Sequence, residues 1–82
     1  MPSQDLTLGL LAGNGQFPCL FARAAAQKGL RIVAVGMRGE TDSSLVPEVS
    51  ELHWVRVGQL GKMIRIFQTA GVKKAAMAGG IQ

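Results

Sequence analysis

Two glycine loops, far apart in the chain, each close an apolar run. Ala12-Gly13-Asn14-Gly15 follows Leu6 to Leu11, and Ala78-Gly79-Gly80 follows Val72 to Met77. Apolar runs of this length ending in glycine read as buried strands of a parallel sheet. As neighbours, the two strands place both loops at the carboxyl edge of one sheet, where open α/β sheets bind ligands because strand order reverses there. Residues without a β-carbon let a ligand approach the backbone and leave amide N–H groups to hold an anion. The loops predict a nucleotide- or phosphate-type site made of backbone, with little reactive side-chain chemistry.

Between the loops the periodicity changes twice. Phe17, Leu20, Phe21, Ala24 and Ala25 recur at helical spacing, with Pro18 in the first turn and Gly29 at the stop. Leu30 to Val35 reads as a second strand ended by Gly36. Met37 to Ser50 is a polar connection with one short helical turn begun by Asp42 or Ser43. Leu52 to Val57 alternates apolar with polar residues, the pattern of a half-covered strand, and Gly58 ends it. Leu60, Met63, Ile64 and Phe67 form a second helical face, Gly71 stops it, and Val72 to Ala78 is the fourth strand. The order β-α-β-β-α-β, with right-handed crossovers, predicts an α/β, Rossmann-like half of a doubly wound parallel sheet with strand order 3-2-1-4. Its two helices fall on opposite faces, and each face stays partly bare.

The chain has 82 residues, few for such a sheet. A domain of this size buries only about 60% of its unfolded surface. The sequence ends at Gly80-Ile81-Gln82, directly after a loop-type glycine pair. The expectation is a single, truncated amino-terminal domain spanning 1–82, with further residues or a second copy of the chain covering the exposed apolar surface. The composition, 48% apolar and 17% charged, is that of an ordinary globular segment. No stretch approaches the ~20 apolar residues of a membrane span, and Met1 to Asp5 lacks a signal pattern, so the expected compartment is the cytoplasm. One cysteine, Cys19, cannot form an internal disulfide and reads as a buried core thiol. The net charge of +4 comes from scattered basic residues without aromatic platforms, which argues against nucleic acid and leaves room for anionic ligands or an anionic membrane surface.

Gly13-Asn14-Gly15-Gln16-Phe17-Pro18 opens like the dinucleotide fingerprint G-x-G-x-x-G, with a strand before it and a helix after. Pro18 stands at the third glycine, and Gly36-Met37-Arg38 stands where an acid would hold the ribose. NAD is disfavoured; Arg38 facing a 2′-phosphate keeps an NADP-binding oxidoreductase domain as an alternative. A tight turn with no ligand is the plain reading, and a non-enzymatic dimerising module is a further alternative. Gly58-Gln59-Leu60-Gly61-Lys62 lacks the spacing and the Ser or Thr of a P-loop, but Gln59 and Lys62 lie at the carboxyl edge near helix N–H groups. His53 stands alone and reads as a hydrogen-bonded strand residue, not a zinc ligand. The acids form no compact cluster for magnesium; Glu40 and Asp42 can reach the rim but read as loop caps.

Taken in order, Gly9 to Pro18, Gly39-Glu40-Thr41-Asp42, Val57 to Lys62 and Met77 to Gly80 resemble the amino-terminal domain of the UDP-2,3-diacylglucosamine pyrophosphatase family of bacterial lipid A synthesis. The resemblance covers Leu8 to Ile81. It implies a two-domain cytoplasmic enzyme, peripheral at the inner membrane, that hydrolyses UDP-2,3-diacylglucosamine to UMP and lipid X. It also implies a divalent metal, Mg2+, bound mainly by a catalytic carboxyl-terminal domain; the expectation of a homo-oligomer rests on the partly bare sheet faces. The substrate lies between the domains. By position, the resemblance carries Gly13, Asn14, Gly15, Gln59, Lys62, Gly79 and Gly80 over as pocket-lining residues. It assigns no catalytic residue to this chain, and a fragment without the second domain is expected to be inactive.

Overall fold

The computed structural model describes residues 7–56 and 58–80, and the backbone alone of Leu60. Leu6, Val57, Ile81 and the Leu60 side chain, all used in the sequence reading, lie outside the described residues. The elements are β1 (Thr7–Ala12), α1 (Phe17–Gln27), β2 (Arg31–Met37), a 3-10 segment (Ser43–Glu48), β3 (Glu51–Val55), α2 (Leu60–Thr69) and β4 (Lys74–Ala78). The four strands pair in parallel in the order β3-β2-β1-β4. The fold is the α/β, Rossmann-like half-sheet that the sequence order predicts.

Side-chain alternation divides the core in two. Leu10, Ala12, Ile32, Ala34 and Ala78 pack with Cys19, Ala22 and Ala25 of α1 and with Leu45 of the 3-10 segment. Val35, Met37 and Val55 point the other way, onto Met63 of α2, with Leu11, Ile66 and Phe67 against them. The helices therefore cover opposite faces, as right-handed crossovers require.

Three local expectations are corrected. Gly36 does not end β2. It lies inside the strand, opposite both Ala12 and Trp54, and a β-carbon there would stand 3.1 Å from the Trp54 ring. The bare backbone makes room for the indole, so β2 runs on to Met37.

The second correction concerns α1, which turns its small residues inward. Pro18, Cys19, Ala22 and Ala25 are buried, whereas Phe17 and Leu20 are 60% and 55% exposed. Ala24 is exposed and Phe21 only half-buried. Alanines let the helix sit close to the sheet, and that proximity outweighs the spacing of the large side chains. The third correction is on α2, where Ile64 is 49% exposed and Ile66 takes the inward place beside Met63 and Phe67.

One helix per face leaves apolar surface uncovered, as expected. Met77, on the α2 face of β4, is 67% exposed. The link from β2 to β3 carries the short helical turn read from Asp42, whose carboxylate caps the Ser44 N–H at 2.9 Å. Arg23 ties α1 to this turn through Glu48 at 3.0 Å. That hydrogen bond, helped by the charge of Glu48, holds the Arg23 guanidinium above its ordinary pKa. Cys19 is buried, with its sulfur 3.5 Å from the Ser44 hydroxyl. His53 is half-buried and hydrogen-bonded to Glu51 at 3.1 Å, as read for a strand histidine. No described helix is long and apolar enough to cross a membrane.

Candidate functional site

The two glycine loops meet at the carboxyl edge. β1 and β4 are adjacent, and their pairing continues past the strand ends as an antiparallel bridge between Asn14 and Gly80. Gly13 N–H donates to Ala78 O at 2.8 Å, and Asn14 N–H donates to Gly80 O at 2.6 Å. The Asn14 side chain returns the bond: its Oδ1 accepts from Gly80 N–H at 3.1 Å.

The approach is too close for side chains. A β-carbon on Gly13 would strike the Gly80 carbonyl, and one on Gly79 would lie 2.5 Å from the Asn14 carbonyl oxygen. Gly79 also has φ of 91°, which other residues rarely adopt. These glycines are explained by one loop packing on the other. The sequence reading offered the amides of both loops to an anion. The structure corrects this: the N–H groups of Gly13, Asn14 and Gly80 already have protein acceptors. Gly15 remains open, since nothing lies within 4 Å of the place its β-carbon would take.

A third loop joins the rim. After β2 the chain folds back so that Glu40 and Thr41 N–H both donate to Met37 O, at 3.0 and 2.9 Å. This places Glu40 Oε1 3.2 Å from Asn14 Nδ2, which donates to it. Glu40 thus reaches the rim, whereas the sequence reading favoured a cap. Thr41, which that reading gave no separate role, wedges its hydroxyl between the ends of β1 and β2. The Oγ1 accepts from Met37 N–H at 2.8 Å and donates to Ala12 O at 2.7 Å. Position alone hinted at Thr41, four residues beyond Met37 in a tight reversal.

Gln59 and Lys62 are set apart from the glycine rim. They follow β3, which is separated from β1 by β2, a distance of about 10 Å at normal strand spacing. Gln59 turns its side chain back, accepting from Arg56 N–H at 2.8 Å, and does not cap α2. Lys62 is exposed and lines a groove with His53, Arg65 and Ile66. The predicted residues therefore form two groups: Gly13, Asn14, Gly15, Gly79 and Gly80 together, with Gln59 and Lys62 apart.

The described rim presents the Glu40 carboxylate and the Asn14 amide beside bare backbone. Among the described residues no group of three or more His, Cys, Asp or Glu is placed to bind a metal ion. The described residues therefore do not by themselves make a ligand set for a divalent cation. The Glu40 carboxylate suits a hydroxyl or amide donor better than a phosphate oxygen, by simple charge. Arg38 follows β2 with its N–H on Val55 O at 2.8 Å and an exposed side chain. No curated protein matches the chain. Residues 7–82, which take in every strand and both glycine loops, match the family described as the LpxI N-terminal domain; the chain belongs to that family, an enzyme domain of lipid A biosynthesis.

Proposed function

We propose that this chain is the amino-terminal domain of a hydrolase that cleaves UDP-2,3-diacylglucosamine to UMP and lipid X. Water adds across the P–O–P link: its hydroxyl goes to one phosphorus and its proton to the bridging oxygen. The observation that carries the reading is the family match over residues 7–82. The interlocked rim of Asn14, Glu40 and Gly80 supports it, because it holds three loops rigid at the sheet edge where such folds bind ligands.

In this reading the rim positions the substrate. Gly15 offers close backbone approach, and Glu40 and Asn14 present polar atoms to hydroxyl or amide groups. Gly13, Gly79 and Gly80 act by holding the rim's shape. Lys62 lies on the far side of β2 and contributes charge at a distance. Phosphate neutralisation and an oriented water, which this hydrolysis requires, come from a second domain that also carries Mg2+. The chain alone is then inactive. The protein works in the cytoplasm at the inner membrane, and its net charge of +4 favours an anionic surface. Exposed Phe17, Leu20 and Met77 favour a covering partner, in this reading a second copy of the chain.

The test is UMP release from UDP-2,3-diacylglucosamine by the intact protein with Mg2+. Turnover is expected, and Asn14→Ala is expected to lower kcat/KM about tenfold, equal to ~1.4 kcal/mol of transition-state stabilisation. No UMP release overturns the hydrolase. Full activity in a folded Asn14→Ala variant removes the rim from the site. Saturable NADPH binding would restore the oxidoreductase alternative.

A further inference from the structure

Asn14 is the chain's one asparagine, and a glycine follows it. The Cγ of an asparagine and the backbone nitrogen of the next residue can bond to each other, closing a ring of Cγ, Cβ, Cα, C and N. A side chain on the following residue hinders that approach, and glycine has none.

The rim leaves the Gly15 nitrogen open to react. The N–H groups of Gly13, Asn14 and Gly80 are taken by protein acceptors, whereas that of Gly15 has no acceptor among the described residues. Gly15 is exposed, with φ of 84° and nothing within 4 Å of the place a β-carbon would take. Helix α1 starts two residues later with no acid in its first turn, so the positive end of its dipole favours negative charge here. The electrophile is also prepared. Asn14 Oδ1 accepts from Gly80 N–H at 3.1 Å, and that oxygen is where negative charge develops when a nitrogen adds to Cγ.

We propose that Asn14-Gly15 is a modification site at which the chain converts Asn14 to aspartate and isoaspartate without an enzyme. The Gly15 nitrogen gives its proton to solvent and bonds to Asn14 Cγ. The Cγ–Nδ2 bond breaks, and Nδ2 takes a proton from solvent and leaves as ammonia. Water then opens the cyclic imide. Breaking the N–Cγ bond gives aspartate; breaking the bond from nitrogen to the Asn14 carbonyl carbon gives isoaspartate, with the chain running through Cγ. Nothing is oxidised or reduced.

Either product removes the Nδ2 donor that lies 3.2 Å from Glu40 Oε1 and sets a negative charge there. Isoaspartate also adds a backbone atom directly beyond the bridge between Asn14 and Gly80. The modification therefore breaks the Asn14–Glu40 link across the rim. The proposal rests on the rim geometry and does not depend on the hydrolase reading.

Intact folded protein is held in mildly alkaline buffer, sampled into acid and peptide-mapped by mass spectrometry, with electron-transfer fragmentation to separate the two products. First-order conversion at residue 14 is expected, faster at higher pH and matched by released ammonia. Its rate is expected within about tenfold of that of the free peptide spanning residues 10–18, since an exposed loop opens at little cost. Gly15→Ala is expected to slow conversion at least about tenfold by hindering the nitrogen. Alanine is strained at this φ, so Asn14→Gln is the second variant. Its longer side chain closes a less favourable ring, and ammonia release is expected to fall at least about tenfold. Asn14 intact in the folded protein after the peptide has converted, ammonia arising from glutamines alone, or an unchanged rate in both variants would overturn the proposal.

Discussion

Asn14 and Gly80, 66 residues apart in sequence, hold each other by a reciprocal pair of hydrogen bonds. Asn14 N–H donates to Gly80 O at 2.6 Å, and Gly80 N–H donates to Asn14 Oδ1 at 3.1 Å. The pair fastens the ends of β1 and β4 at the point where strand order reverses. In an open doubly wound sheet that point is a crevice. Here its floor is closed by backbone, with the Gly13, Asn14 and Gly80 N–H groups all bonded across the two loops.

The closure predicts a sharp contrast among glycines. Gly13→Ala drives a β-carbon into the Gly80 carbonyl, with backbone on both sides. A loss of about 2–4 kcal/mol in unfolding free energy is expected, as for other severe steric lesions. Gly61→Ala in α2 meets nothing within 4 Å and is expected to stabilise by about 0.5 kcal/mol through helix propensity. Urea denaturation of the two variants measures the difference. Equal midpoints would contradict the packing at the rim.

Thr41 makes a second prediction. Its hydroxyl is the partner of both Met37 N–H and Ala12 O, one as acceptor and one as donor. Thr41→Val keeps the shape and strands both backbone groups. The cost expected is about 2–3 kcal/mol, since each unpaired buried polar group carries its desolvation penalty. Thr41→Ser keeps the hydroxyl and should recover most of the loss. Thermal melts of the three proteins decide it.

Asn14→Asp provides a test with a pH sign. The substitution keeps an oxygen for Gly80 N–H but replaces the Nδ2 donor, which lies 3.2 Å from Glu40 Oε1, with a second carboxylate. Like charges this close disfavour the ionised pair. The variant is expected to be less stable than the parent at pH 7. The gap should narrow as pH falls toward about 4, where carboxylates take up protons. A gap independent of pH would mean that Glu40 does not face residue 14.

The orientation of α1 is tested by paired substitutions. Ala22 is fully buried against the sheet, so Ala22→Leu overpacks the core and should cost about 1–3 kcal/mol. Leu20→Ala removes a side chain that is 55% exposed and should cost under about 1 kcal/mol. Had the large residues faced inward, the order would reverse. Chemical denaturation of each single variant separates the two arrangements.

How much of this was legible in the amino acids follows a physical line. The alternation of strands and helices, the parallel order β3-β2-β1-β4 and the meeting of the two glycine loops followed from period, punctuation and chain handedness. These are local signals joined by a strong topological rule. The inward side of α1 did not follow, because hydrophobic spacing cannot say how near a helix will come to a sheet. Alanines allow a close approach, and only the assembled sheet shows that Phe17 and Leu20 are left outside. The same limit applies to the rim. A run such as Gly13-Asn14-Gly15 announces bare backbone, but whether its amides face a ligand or another strand end is settled in three dimensions. Gly80 takes the Asn14 amide, Ala78 takes that of Gly13, and Glu40 arrives from a third loop. Hydrogen-bond partners tens of residues apart leave no periodic mark along a chain, so the sequence alone determined which loops would meet, and only the tertiary structure decided what they do to each other.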